Sequence, residues 1–105
     1  LAGADRAVDN GGVPPLPDDE VTARLARLPG WARVGDEIER IYELASFPAA
    51  VAFVGRVADA AEAANHHPDL DIRYRKVRVA LSTHSEGGIT DKDFALATQV
   101  DGLAG

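Results

Sequence analysis

At 105 residues, with 46% hydrophobic and 27% charged side chains, the chain has the size and balance of one globular domain; a disordered segment and a pair of separate cores are both excluded. Its net charge of −6 and pI of about 4.9 exclude the basic stripe of a duplex nucleic-acid binder, so no direct nucleic-acid partner is expected. The absence of cysteine excludes disulfides, thiolate metal sites and cysteine nucleophiles, and fits a cytoplasmic protein.

The N-terminus lacks a basic region followed by an apolar run, so no signal peptide is expected. Residues 1–17, "LAGADRAVDNGGVPPLP", mix glycine and proline without periodicity and read as a flexible tail, locally docked at most. The remainder, residues 18–105, reads as the domain. A first helix is predicted over residues 18–28, with Asp18 as cap, Asp19 and Glu20 at the positive end of the dipole, and Val21, Leu25 and Leu28 as the buried stripe. Pro29-Gly30 ends it. "WARV" and "EIERIYEL" then read as two strands of a hairpin around Gly35-Asp36. In the second, Ile38, Tyr42 and Leu44 share one face and Glu37, Glu39 and Glu43 the other.

A second helix begins after Ser46, a good cap, with Pro48 tolerated in the first turn. Phe47, Val51, Val54, Ala58 and Ala61 are predicted as its main buried stripe, widened by Ala50, Phe53, Val57 and Ala64. Arg56, Asp59 and Glu62 interrupt this apolar run, which is too polar and too short for a membrane span. Pro68 disfavours helical geometry at His67, so the helix should stop near Asn65 or His66. Beyond it Leu70, Ile72 and Tyr74 alternate on even positions, and Val77, Val79, Leu81 and Thr83 on odd ones. One flat strand cannot keep both sets on one face, so a turn or bulge near Arg75-Lys76 is expected. "SEGG" reads as a loop. "TDKDFALATQVDGLA" reads as a third helix, with Thr90 and Asp93 forming a variant capping box and Phe94, Ala97 and Val100 its inner stripe. The order α-β-β-α-β-β-α predicts an α+β two-layer sandwich: an antiparallel sheet of about four strands with helices on one face.

The residues with chemical potential cluster in "EAANHHPDLDIRY", residues 62–74. Glu62 and His66, four apart, share a helix face if the last turn is kept, and a carboxylate beside an imidazole tunes its proton affinity or fixes its tautomer. His84 follows the last strand and can return to the same cleft. The plain alternatives are solvated histidines, Glu62 as an exposed helix acid, Asp93 as a cap, Tyr74 as core, Pro68 as a stop signal and Trp31 as an anchor. The histidines and an acid are zinc-type ligands, but no H-x-H, H-x3-H or HExxH spacing occurs, so no metal is expected. GxSxG, GxGxxG and P-loop patterns are absent as well.

Taken together, these positions resemble the pterin-4a-carbinolamine dehydratase family. Its motif runs acid, three residues, His-His-Pro, five or six residues, aromatic, nine residues, His, eight or more residues, Asp. Here it is met by Glu62, His66-His67-Pro68, Tyr74, His84 and Asp93. "LPGW", "LSTH" and "GGIT" are similar to the family too, and the likeness covers about residues 18–104. Leu70 departs from it, standing where animal members usually carry tryptophan.

The resemblance implies the same α+β fold, a homodimer or homotetramer, and removal of water from a 4a-hydroxytetrahydropterin to give quinonoid dihydropterin in tetrahydrobiopterin recycling. The pterin would be substrate, with no further cofactor, released to this protein by an aromatic amino acid hydroxylase. It also implies His66, His67 and His84 as the catalytic set, with Glu62, Pro68, Tyr74 and Asp93 binding or supporting. Within that set His66 and His84 are expected to do acid–base work and His67 to orient the pterin. Glu62 would tune His66 or bind ring donors, and Asp93 would hold His84, cap its helix, or both. Loss of water from a carbinolamine needs a proton delivered to the hydroxyl and one taken from nitrogen, tasks that imidazole performs near pH 7. Relatives of this kind also include a dimerisation cofactor of a homeodomain factor and rubisco assembly factors, so a non-catalytic binding role is the alternative.

Overall fold

The computed structural model describes residues 14–104. Much of the expected tail therefore lies outside the described residues. Its last part runs extended onto the domain, where Leu16 packs against the core and donates its N–H to the Ile89 carbonyl at 2.8 Å. The elements follow as α1 (Asp18–Leu25), β1 (Ala32–Val34), β2 (Glu37–Glu43), α2 (Phe47–Ala64), β3 (Asp69–Arg73), β4 (Lys76–Leu81), a 3₁₀ turn (His84–Glu86) and α3 (Asp91–Leu103).

α1 departs from expectation at both ends. Pro17, not Asp18, holds the capping position and offers no side-chain acceptor. Asp18 is drawn off to Arg33, 2.9 Å away. The helix stops at Leu25 because the chain tightens there: Arg27 and Leu28 donate to the carbonyls of Arg24 and Leu25, the three-residue spacing of a closing turn.

The strands form one antiparallel sheet in the order β1-β2-β4-β3. The pairs Ile38↔Leu81, Tyr42↔Val77 and Leu70↔Val79 bring the apolar alternations of three strands to one face. The opposite face carries Arg78, whose guanidinium donates to Glu39 at 2.7 Å and Glu37 at 3.1 Å. The predicted phase change is a tight turn at Tyr74-Arg75, since Arg73 already pairs with Lys76. Tyr74 adopts φ 56° there and is 72% exposed. This left-handed geometry disfavours a residue with a Cβ. Tyr74→Gly is expected to raise stability by about 0.5–1 kcal/mol, the relief of strain exceeding the entropy that glycine adds to the unfolded chain. Urea unfolding would read this, and an unchanged or lower midpoint would count against it.

Ser46 caps α2 as expected, its hydroxyl accepting from the Ala49 N–H at 3.1 Å. The buried face, however, is Ala50, Phe53, Val57 and Ala61. The predicted main stripe is turned outward at its start: Phe47 is 49% and Val51 46% exposed. α2 is apolar around most of its girth, so periodicity does not choose between neighbouring stripes. The sheet chooses, because the Phe53 ring meets that of Tyr42 with centroids 4.9 Å apart. Burying such a side chain contributes roughly 1.5–3 kcal/mol.

α3 adds Phe94, Leu96, Ala97 and Val100 to the same core. Its last turn is tied to the sheet by Asp101, where one carboxylate oxygen accepts from Trp31 Nε1 and Arg40, both at 3.0 Å, and from the Tyr42 hydroxyl. Burial and then the Asp101 carboxylate push the Tyr42 phenol above its ordinary pKa. Gly30, at φ 93°, leaves room for this cluster, since a Cβ there would lie 2.7 Å from Arg40 Nε. Among the described residues no helix is long and apolar enough to cross a membrane.

Candidate functional site

Three pieces of chain meet beyond one end of β4: the α2–β3 connection, residues 82–88 after β4, and the first turn of α3. The first is shaped by Asn65, which takes the left-handed conformation (φ 51°, ψ 43°). Asn tolerates this better than most residues. It sets up a six-to-one helix stop in which His66 N–H donates to the Ala61 carbonyl and Asn65 N–H to that of Glu62, both at 3.1 Å. Because helical geometry ends at Ala64, His66 leaves the α2 surface and its ring turns inward, with a side chain only 11% exposed.

The ring lands on Asp93. His66 Nε2 lies 2.6 Å from Asp93 Oδ1, and Asp93 is fully buried. The other carboxylate oxygen, Oδ2, accepts from the Thr90 backbone N–H at 2.9 Å and the Thr83 hydroxyl at 2.8 Å. Asp93 thus caps α3, as its place in the capping box predicts, and holds a histidine. The histidine is His66 and not His84, the partner expected from sequence. Glu62 is corrected in the same way: its carboxylate lies 2.8 Å from His67 Nε2 at the surface rather than against His66. Both corrections have one cause. The four-residue spacing of Glu62 and His66 brings side chains together only while the helix continues, and Asn65 ends it.

His84 opens the 3₁₀ turn after β4. An antiparallel bridge between Thr83 and Gly88 closes that turn back on itself. Strand parity therefore stops applying before His84, and the ring is exposed at the same rim. An open pocket of about 370 Å³ is lined by His66, His67 and His84 together with Asn65, Ser82, Thr83, Ser85 and Lys92. That volume lies in the range of small-molecule sites. The wall is rich in hydroxyl, amide and imidazole groups, which suits a flat polar heterocycle with donors and acceptors on its edges.

The structure thus brings together all three predicted histidines, with Asp93 behind His66 and Glu62 beside His67. Pro68 follows the pair and starts the extended segment into β3, and Leu70 packs against the core. Tyr74 is not brought to the site. It sits at the opposite end of β3, roughly 17 Å away at the ordinary strand rise. Sequence reasoning missed Lys92 and Asn65 as lining residues. Ser82 and Ser85 had no role assigned from the sequence, and Thr83 figured only in the strand alternation. The available signal was the capping box, which fixes Lys92 in the first turn of α3. Among the described residues no group of three His, Asp or Glu side chains converges as metal ligands would.

Comparison with known proteins finds relatives over most of the chain. The sequence model of the family described as Pterin 4 alpha carbinolamine dehydratase matches residues 14–103. A protein of Roseiflexus sp. (strain RS-1), provisionally named pterin-4-alpha-carbinolamine dehydratase, is 58% identical over 86 residues, covering 82% of this chain and 92% of its own. One from Nocardia farcinica (strain IFM 10152), with the same provisional name, is 56% identical over 89 residues, covering 85% and 94%. The crystal structure of a transcriptional coactivator/pterin dehydratase from Brucella melitensis superposes with a TM-score of 0.83 at 34% identity, covering 87% of this chain and 99% of that one. A pterin dehydratase-like protein identified as a RuBisCO assembly factor in the alpha-carboxysome shares the fold, with a TM-score of 0.62 at 24% identity over 72% of this chain and 90% of that one.

Proposed function

The chain belongs to the pterin 4 alpha carbinolamine dehydratase family, and from that premise we propose that it removes water from a 4a-hydroxytetrahydropterin to give a quinonoid dihydropterin. The observation that carries this reading is the buried Asp93 carboxylate held against His66 in a pocket that His84 also lines. A buried acceptor orients an imidazole and stabilises the imidazolium that forms when it takes a proton.

In this reading His66 takes the proton from the pterin ring nitrogen as the C=N bond forms. His84, exposed at the rim, delivers a proton to the departing hydroxyl as the C–O bond breaks, and water leaves. The proton gained by His66 and that lost by His84 are then exchanged with solvent, so the cycle closes without redox chemistry. His67, paired with Glu62, orients the ring system. The reaction would consume the carbinolamine that aromatic amino acid hydroxylases release, within tetrahydrobiopterin recycling.

The direct test is the decay of freshly generated 4a-hydroxytetrahydropterin, followed by absorbance with and without the purified chain. Acceleration over the spontaneous rate supports the reading. A folded protein that leaves the rate unchanged moves the assignment to a non-catalytic binding or assembly role.

Self-association is part of the same proposal. Phe47 and Val51, half-exposed on α2, and the partly buried Val54 form an apolar stripe that flanks the buried face of the helix. A homodimer or homotetramer would bury it. Val51→Glu is expected to shift the protein to monomers in sedimentation velocity while leaving its circular dichroism unchanged. A wild-type protein that already sediments as a monomer would sink this part.

A further inference from the structure

We propose that Thr83, backed by Thr90, is a positioning residue whose buried hydroxyl fixes Asp93 so that His66 presents Nδ1 to the bound substrate. The proposal rests on the dehydratase reading above for its catalytic consequence, but its structural part stands apart from it.

The support is a count of hydrogens. Thr83 and Thr90 are both buried, and their Oγ1 atoms lie 2.8 Å apart. Each hydroxyl has one proton to donate. Asp93, as a carboxylate, only accepts, so the Thr83 proton is directed to Oδ2 at 2.8 Å. The Thr90 hydroxyl must then donate to Thr83, and it accepts in turn from the Lys92 backbone N–H at 3.2 Å. The donors therefore run in one direction: Lys92 N–H to Thr90, Thr90 to Thr83, Thr83 to Asp93.

Chains of this kind polarise one another and hold their members in a single arrangement. With Oδ2 occupied by Thr83 and by the Thr90 N–H, Oδ1 faces His66. The contact at 2.6 Å then needs its proton on Nε2. Nδ1 of neutral His66, which has no protein partner among the described residues, keeps its lone pair for the pocket.

Two measurements test this. Imidazole ¹H–¹⁵N correlation spectra of the labelled protein report which ring nitrogen carries the proton. The expected result for the wild type is hydrogen on His66 Nε2; a ring with hydrogen on Nδ1 alone overturns the proposal whatever any variant does. Thr83→Val keeps the shape and removes the donor. It is expected to lower kcat by about 10–100-fold, the fold-change of one hydrogen bond to a charged group, with KM nearly unchanged and a mixed His66 tautomer. Thr83→Ser should restore both the rate and the spectrum. Should the valine protein fail to fold, Thr83→Ala provides the same comparison. Wild-type kcat and an unaltered tautomer in either folded variant would overturn the role. If the wild type shows no dehydration, the dehydratase reading falls by itself, and the tautomer spectra still decide whether Thr83 sets His66.

Discussion

His66→Ala is expected to lower kcat/KM for dehydration of a 4a-hydroxytetrahydropterin by about 10²–10⁴-fold, the span of one well-placed acid or base. The ring is mostly enclosed and faces a buried carboxylate at 2.6 Å, so solvent is poorly placed to substitute for it. His84→Ala should fall within the same range but be partly rescued by added imidazole, because its ring stands at the exposed rim. His67→Ala should act mainly on KM, since its partner Glu62 holds it at the surface. Stopped-flow absorbance on freshly generated substrate separates these effects. Wild-type rates in both the His66 and His84 variants would remove the acid–base assignment.

Asp93→Ala is expected to destabilise the fold by about 2–4 kcal/mol as well as impair activity. The side chain is fully buried and accepts from Thr90 N–H and the Thr83 hydroxyl while facing His66. Removing it leaves the Thr90 N–H without its acceptor, a loss of about 1–3 kcal/mol that already includes the helix cap, and frees the Thr83 hydroxyl, which costs about 1 kcal/mol because it can turn to Thr90 Oγ1 at 2.8 Å. For a domain of this size that corresponds to roughly 10–25 °C in Tm. Asp93→Asn keeps the volume and one carbonyl acceptor, so it should lose less stability than Ala while still impairing the rate. Urea unfolding of the three proteins, compared at equal m-values, checks the order. An alanine variant within about 0.5 kcal/mol of wild type, the usual spread for surface changes, would show that Asp93 does not bear this network.

Both effects arise at a point where local rules and tertiary packing disagree. The element order was legible in the chain because its signals are local. Ser46 and Thr90 stand where caps are needed, Asn65 and Pro68 where α2 must stop, and the apolar parity flips between Ile72 and Val77 where a turn is required. The partner of each acid was not legible. A spacing of four pointed Glu62 at His66, and proximity in the motif pointed Asp93 at His84. A single left-handed residue rotated His66 out of the helix, toward an acid 27 positions away. Tyr74 fits the family's spacing, yet its backbone belongs to a tight turn at the far end of the sheet.

The sequence by itself determined the class of fold and the ends of most elements, since caps, stops and alternation depend on neighbours in the chain; the grouping of three histidines with two acids came from the family resemblance and not from these local signals. Tertiary structure alone decided which face of α2 is buried, which carboxylate meets which imidazole, and that the Thr83 hydroxyl donates to Asp93. These depend on contacts between segments far apart in sequence, and neither periodicity nor spacing carries information about them. The physical reason is the same throughout: hydrogen-bond partners of buried groups are chosen when separate elements pack, and a fully enclosed Asp93 has to find its donors there.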